Sequence, residues 1–287
     1  MAGLLAGLDQ FGLGNLEGMN LYDSPEEKSA IASQMAPQTP TVQEQDFIFD
    51  KTFTCPLCDE EFKSKTVKIG KAKLLGTDLD LRPKYEQVDL LKYDIIACPY
   101  CGYSALSRYF KFLTAPQAKR VKEVISKSFK AQKEQSVIYS YEEALERYKL
   151  TLANAIVKQS KASEKAYICL KTAWLLRGMQ ENLDKNDPEY AKKLEDAKNQ
   201  ENEFLQNALE GFLAARQTEG YPMCGMDEST VDYLIAVTAM RFEQYDVATK
   251  LVAAILASPA TNPRMKERTR DVKDMLLKKI KEKNSAK

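Results

Sequence analysis

TCPLCDEEF at residues 54–62 and ACPYCGYSAL at residues 97–106 carry the same short hook, Cys-Pro-x-Cys, in a chain that has no histidine. Two cysteines separated by two residues can reach one ion from a single tight turn, and two such hooks complete a tetrahedron. Pro56 and Pro99 preset the turns, and Gly102 after the second hook tolerates the positive φ such turns often need. The pattern nominates Cys55, Cys58, Cys98 and Cys101 as ligands of one metal ion. A redox disulfide within each hook, or plain buried thiols, are the alternatives, and the doubling of the hook favours the shared site. Zinc is the expected ion because it takes four thiolates without redox chemistry, and iron in a rubredoxin-like centre is the less favoured option. Four protein thiolates leave no open coordination position, so this ion stabilises a fold and does not activate water.

Between Cys58 and Cys98 lie 39 residues, more than the roughly 15–20 of a compact ribbon, so a folded excursion must fill the gap. From Phe62, FKSKTVKIGKAKLLGTDLDL alternates lysines with Val67, Ile69 and Leu74, the period of half-buried strands, and LLKYDIIACPYC reads as a strand delivering the second hook. The expectation is a small antiparallel sheet of about three strands pinned at its base by the metal. Asp78 and Asp80, two residues apart, either share one strand face as a cation or acid–base pair or form a turn and a solvated edge, and GTDLDL suits the second reading.

The stretch CPLCDEEFKSKTVKIGKAKLLGTDLDLRPKYEQVDLLKYDIIACPYCGYSAL, followed by tandem helices, resembles the bacterial family catalogued as domain of unknown function 2225, over most of the chain after about residue 50. The resemblance implies a rubredoxin-like zinc ribbon joined to a tetratricopeptide-like helical region, with no activity assigned. The four cysteines, Asp78, Asp80, Tyr85, Tyr93, Gly102 and Tyr103 match the family pattern, whereas Asp59 stands where the first hook usually ends in glycine and Thr77 where an arginine precedes the Asp-x-Asp.

The remainder reads as helix. Tyr141, Ala144, Leu145, Tyr148, Leu152 and Ile156 form one stripe, and Tyr167, Leu170, Ala173 and Trp174 another. Val231, Leu234, Ile235, Ala239 and Phe242 precede Tyr245, Ala248, Leu251, Val252 and Ile255, with only Glu243 and Gln244 between the two helices, which must turn back on each other. Tyr141/Ala144/Tyr148, Leu205/Ala208/Phe212 and Tyr245/Ala248/Val252 share a large–small–large spacing that suggests about three irregular helical hairpins, with ENLDKNDPEYAKKLEDAKNQ as an insertion and Glu243 where glycine is common. Asn262 and Pro263 open a last helix to about Lys281 that caps the stack. The fold class is therefore α+β. A flexible acidic tail over 1–46 with a short apolar segment leads into a four-cysteine β module over 47–110 and helical hairpins over 111–287.

Composition narrows function. At 287 residues, 44% hydrophobic, 29% charged and a net charge of +1, the chain is an ordinary globular protein with no membrane span and no secretory signal, hence expected in the cytoplasm. Without histidine, histidine-based triads and histidine-ligated zinc are excluded, and no phosphate-cradling glycine-rich loop occurs. Cys169 reads as a small core residue and Cys224 as a loop thiol with nothing to activate it. Residues 1–50 hold eight acidic side chains against Lys28, and Arg108–Lys133 eight basic ones against Glu123. That basic stretch, with Tyr100, Tyr103 and Tyr109, makes nucleic acid an alternative partner. The leading expectation is a non-enzymatic interaction protein whose helical face binds a protein or peptide, with Arg177 and Arg241 as candidate partner contacts.

Overall fold

A computed structural model describes residues 43–68, 70–131 and 136–285. The apolar segment of the N-terminal tail, Ile69 and Lys133 lie outside the described residues. Glu44–Lys287 forms one compact unit. It opens on a 3-10 turn, Glu44–Phe47, and three antiparallel hairpins follow: β1 (Ile48–Thr54) with β2 (Glu61–Val67), β3 (Leu74–Thr77) with β4 (Pro83–Tyr85), and β5 (Ile95–Ala97) with β6 (Ser104–Leu106). Seven helices come next among the described residues: α1 (Ala115–Val121), α2 (Tyr141–Val157), α3 (Ala162–Asn182), α4 (Tyr190–Thr218), α5 (Glu228–Arg241), α6 (Tyr245–Ala257) and α7 (Pro263–Ser285). The layout is α+β, as the patterning indicates.

The β region departs from expectation in its pairing. Among the described residues no three-stranded sheet forms: the strands pair only within their hairpins, and helices rather than neighbouring strands supply the buried side. β2 buries Phe62, Ser64 and Val67 on this account, while β3 is exposed at every residue and leaves Leu74 53% accessible. LLKYDIIA is not one strand. Asp89 caps a 3-10 turn over Leu90–Tyr93 by accepting from the Leu91 N–H at 3.0 Å, and only Ile95–Ala97 is extended.

Helix starts are set locally. Ser140 and Glu143 form a capping box at the start of α2, Asp227 accepts from the Thr230 N–H ahead of α5, and Asn262 accepts from the Met265 N–H at 2.8 Å ahead of α7. The α5–α6 turn is as short as expected, and Glu243 adopts φ +56°, the left-handed conformation that glycine takes without cost. Of the stretch 181–200, residues 183–189 form the connection between α3 and α4, and residues 190–200 are absorbed into the 29-residue α4. Ala144, Ala208 and Ala248 are buried, and Gly211 lets α4 approach α3 so closely that a Cβ there would stand 2.8 Å from that of Ala166. The stripes of α3 and α5 are broader than read: every residue from Val231 to Met240 is buried, since these helices are packed on more than one side. The stripe of α2 turns instead. Ile156 is 58% exposed while Thr151, Asn154 and Ala155 go inward, toward the β5–β6 hairpin.

Candidate metal centre

The four hook cysteines come together. Cys55–Cys58 forms the tip of the β1–β2 hairpin and Cys98–Cys101 the tip of β5–β6. Their sulfurs all lie within 4.8 Å of one another, with Cys55 and Cys101 at 3.6 Å and Cys58 and Cys98 at 3.6 Å. Sulfurs at the corners of a tetrahedron with metal–sulfur bonds of about 2.3 Å stand about 3.8 Å apart, so the donor set already has the dimensions of a four-thiolate site. The two turns repeat each other. Asp59 N donates to Cys55 O at 2.9 Å and Gly102 N to Cys98 O at 3.2 Å, and both residues are left-handed, with φ +62° and +73°. Asp59 thus performs the backbone role of the missing glycine, as short polar residues can. Gly102 has a second reason to be glycine: a Cβ there would sit 2.5 Å from the Phe129 ring.

The shell around the sulfurs is apolar, made of Leu57, Phe62, Ile96, Tyr103, Phe110 and Val121. α2 supports it from below, where Asn154 donates to Gly102 O at 3.0 Å and the Thr151 and Ser104 hydroxyls meet at 2.6 Å. Hydrogen bonds from Cys101 and Cys55 pull the Cys98 thiol down to about 2. Cys55 is pushed up to about 12, because the bond from Cys101 is outweighed by Cys98 and by burial, and Cys101 is raised further by its bonds to Cys55 and Cys98 and by burial. A divalent cation removes the repulsion that opposes further thiolates, so the residues present fit a metal ion.

A second cluster, which the spacing of residues does not reveal, joins the β3–β4 hairpin to the helices. Asp80 is buried, contrary to the solvated edge expected for it, and accepts from the Arg177 guanidinium at 2.9 and 2.8 Å and from Trp174 Nε1 at 3.0 Å. Asp78 takes Arg177 at 3.1 Å and Lys84 at 2.9 Å, while Arg82 reaches Glu181 at 2.6 Å. Burial alone would raise the Asp78 carboxyl, but the bonds from Lys84 and Arg177 and the Arg82 charge hold it below the usual range. Both carboxylates are therefore committed to Arg177, and Asp78, held ionised, is unsuited to act as an acid. Arg241 joins from α5, bonding Glu201 at 2.9 Å and Asn202 at 2.8 Å. Arg177 and Arg241 both line a cleft of about 280 Å³ whose apolar wall is Leu205, Val237, Met240 and Met275, with Lys279 at its side.

The other singled-out residues fall as follows. Cys169 is buried in the helical core, and burial raises its thiol to about 11. Cys224 is half-buried with its thiol donating to Ser163 O at 3.5 Å, and its pKa too is raised by burial, which deactivates it as a nucleophile. Tyr103 is fully buried and donates to Phe110 O, so it cannot stack on a ligand, whereas Tyr100 is 53% exposed. No described helix is long and apolar enough to cross a membrane.

Fold and site together define a β module whose four clustered cysteines could hold a metal ion, seated on a helical body. The chain belongs to the family described as "Uncharacterized protein conserved in bacteria", domain of unknown function 2225, whose model matches residues 48–276. No curated protein and no solved structure matches it.

Proposed function

We propose that this bacterial protein is a non-catalytic binding protein of the cytoplasm, in which one zinc ion clamps the hairpin tips and a tetratricopeptide-like helical body holds a protein or peptide partner. The observation that carries this reading is the cleft shared by Arg177 and Arg241. Its cations stand beside an apolar wall, the combination that recognises an acidic segment bearing an aliphatic side chain. Arg177 is fixed by Asp80 and Glu201, and Arg241 keeps its side chain 40% exposed beside it, so the cleft is preorganised and still open to a carboxylate.

Zinc suits the four thiolates because it needs no redox partner and accepts a closed tetrahedron, which also leaves no position for substrate. Elemental analysis should return one zinc per chain, and a red, redox-active preparation would replace it with iron. For the cleft, intact protein and an Arg241→Glu variant are used as baits in affinity capture from the native cell. Retention of one protein set by the intact chain and its loss from the variant supports the reading. Identical sets, or recovery dominated by nucleic acid from both baits, overturn it. Trp174, the single tryptophan, lies directly behind the cleft through Asp80, so its fluorescence reports occupancy by any partner peptide so identified.

A further inference from the structure

Residues 108–130 form a roof over the cysteine cluster. Phe110, Leu113, Ala118, Val121 and Ile125 turn inward and pack in the same apolar group as Cys55, Cys98 and Cys101. Phe129 closes over Gly102 at the second hook. With those side chains directed inward, the outward side of the same stretch carries what remains. Lys111, Lys119, Lys122 and Lys127 are exposed, and between them Phe112 is 73% and Val124 57% accessible. The only carboxylate in the stretch, Glu123, stands 4.0 Å from Lys119. Tyr100 projects from the second hook, one residue from the Cys101–Gly102 turn that Phe129 covers. The first hook is charged the other way, with Asp59, Glu60 and Glu61 all exposed. The metal end is therefore polarised, and its cationic half is the half that presents free aromatic rings.

Packing does not account for an exposed phenylalanine in a stretch whose Phe110 and Leu113 face inward, and a solvated cationic surface has no need of one. Flat rings interleaved with flexible cations do match one ligand class: rings stack on bases and lysines follow phosphates, irrespective of sequence. α1 runs on directly as a π-helix over Lys122–Ser126, and exposed Lys119, Lys122 and Glu123 interrupt its outward face around Val124, so it lays no continuous apolar stripe on a bilayer, while rings that stack need unpaired bases. We propose that this face is a second binding surface, separate in its residues from the Arg177–Arg241 cleft, and that it takes single-stranded nucleic acid. Phe112 and Tyr100 are the stacking platforms, and Lys111, Lys119, Lys122 and Lys127 contact the backbone.

The test uses the full metal-loaded chain and fluorescein-labelled 20-nucleotide oligo(dT) and oligo(U), followed by anisotropy. Binding is expected at about 50 mM salt and should weaken by about 100-fold at about 300 mM if four phosphate contacts form. Phe112→Ala and Tyr100→Ala should each weaken it by about tenfold while leaving the salt dependence unchanged. A combined Lys111→Glu, Lys122→Glu, Lys127→Glu variant should abolish it. All these side chains are exposed, so metal content and melting temperature check that each variant folds. Absence of binding at the lower salt overturns the proposal, as does binding that the triple variant retains. Binding lost in the triple variant but unaffected by both aromatic changes overturns the stacking assignment. Phe112-dependent binding to vesicles of phosphatidylserine and phosphatidylcholine, with no binding to either oligonucleotide, reassigns the face to a lipid surface.

Discussion

Two hairpins in this molecule face the same difficulty and meet it with opposite chemistry. Neither β1–β2 nor β3–β4 has strands enough to be stable alone. The first carries its cysteines into an apolar shell with Phe62, Phe110 and Val121, and its tip meets that of β5–β6 through sulfur. The second buries no strand residue and attaches through Asp78, Asp80 and Arg82 to Arg177 and Glu181 of α3. A short hairpin needs an external clamp, and the two clamps differ in kind: the first is a cluster of thiols that could hold a metal ion, the second a set of ion pairs.

The largest expected effect comes from undoing the metal clamp. Cys58→Ser, or stripping the ion with a chelator, removes the link that joins two hairpin tips, and structural zinc supplies on the order of 10 kcal/mol to small folds. The melting temperature should fall by more than about 10 °C, with a low-temperature step in near-ultraviolet dichroism for the β region and retained far-ultraviolet helix signal. A single unshifted transition in the stripped protein would show that the apolar shell suffices without the ion.

Next comes the ionic clamp. Arg177→Met leaves Asp80 and Glu201 with side chains 8% and 3% exposed and without their shared cation, a change that costs about 3–5 kcal/mol. Metal content should stay at one per chain while the melting temperature drops, which separates the two clamps. A stability loss below about 1 kcal/mol would mean that Arg82, Arg241 and water compensate.

These two clamps also differ in how far they can be read from sequence. The cysteine cluster is written in spacing, since each hook is four residues long and its chemistry is local. The helical faces of α2 and α6 follow from period, as Tyr148 and Leu251 show by their burial. The ionic clamp is invisible that way: Arg177 reaches Asp80 across 97 positions and Glu201 across 24, and no periodicity links them. Trp174 gave the one local sign, because a buried indole needs an acceptor. The all-round burial of α3 and α5 is hidden for a related reason, since a stripe is defined by one neighbour and these helices have several. Pattern alone points Leu74 and Ile156 inward, and tertiary packing supplies nothing to cover them.

Acid should distinguish the clamps more gently. Asp78 and Glu181 have lowered pKa values, in each case because bonds to Lys84, Arg177 or Arg82 overcome burial. A depressed carboxyl contributes stability that is present above its unfolded value, about 3.9 for Asp and 4.3 for Glu, and is lost as pH falls through the folded value. Asp89, beside the 3-10 turn, has the opposite sign: burial raises it despite the Leu91 N–H. Its folded form holds a proton that the unfolded chain has released, so its contribution grows as pH falls from the folded value toward about 3.9. Melting Glu181→Gln against the parent at matched pH, where metal loss affects both alike, should give a difference that is constant above about pH 5 and shrinks below about pH 4. For Asp89→Asn the parent should gain on the variant across the same descent, and a parallel pair of curves would contradict the assignment.

The smallest effect tests the likeness of the two hook turns. Gly102 and Asp59 hold the same left-handed conformation after the second and first hooks, yet only Gly102 is also required by a neighbour, the Phe129 ring. Asp59 is exposed, so its side chain meets no comparable obstacle and only its backbone is unfavourable. Asp59→Gly relieves that strain but also frees the unfolded chain, and an aspartate already tolerates this region better than most residues. The two contributions leave a net gain of up to about 1 kcal/mol, read as a melting temperature higher by about 1–3 °C in the metal-loaded protein. Gly102→Ala should lower it in the same assay. Should Asp59→Gly be destabilising instead, its carboxylate must be making a contribution near the metal that the Gly102 turn lacks, and the equivalence of the two hooks would hold for their backbones alone.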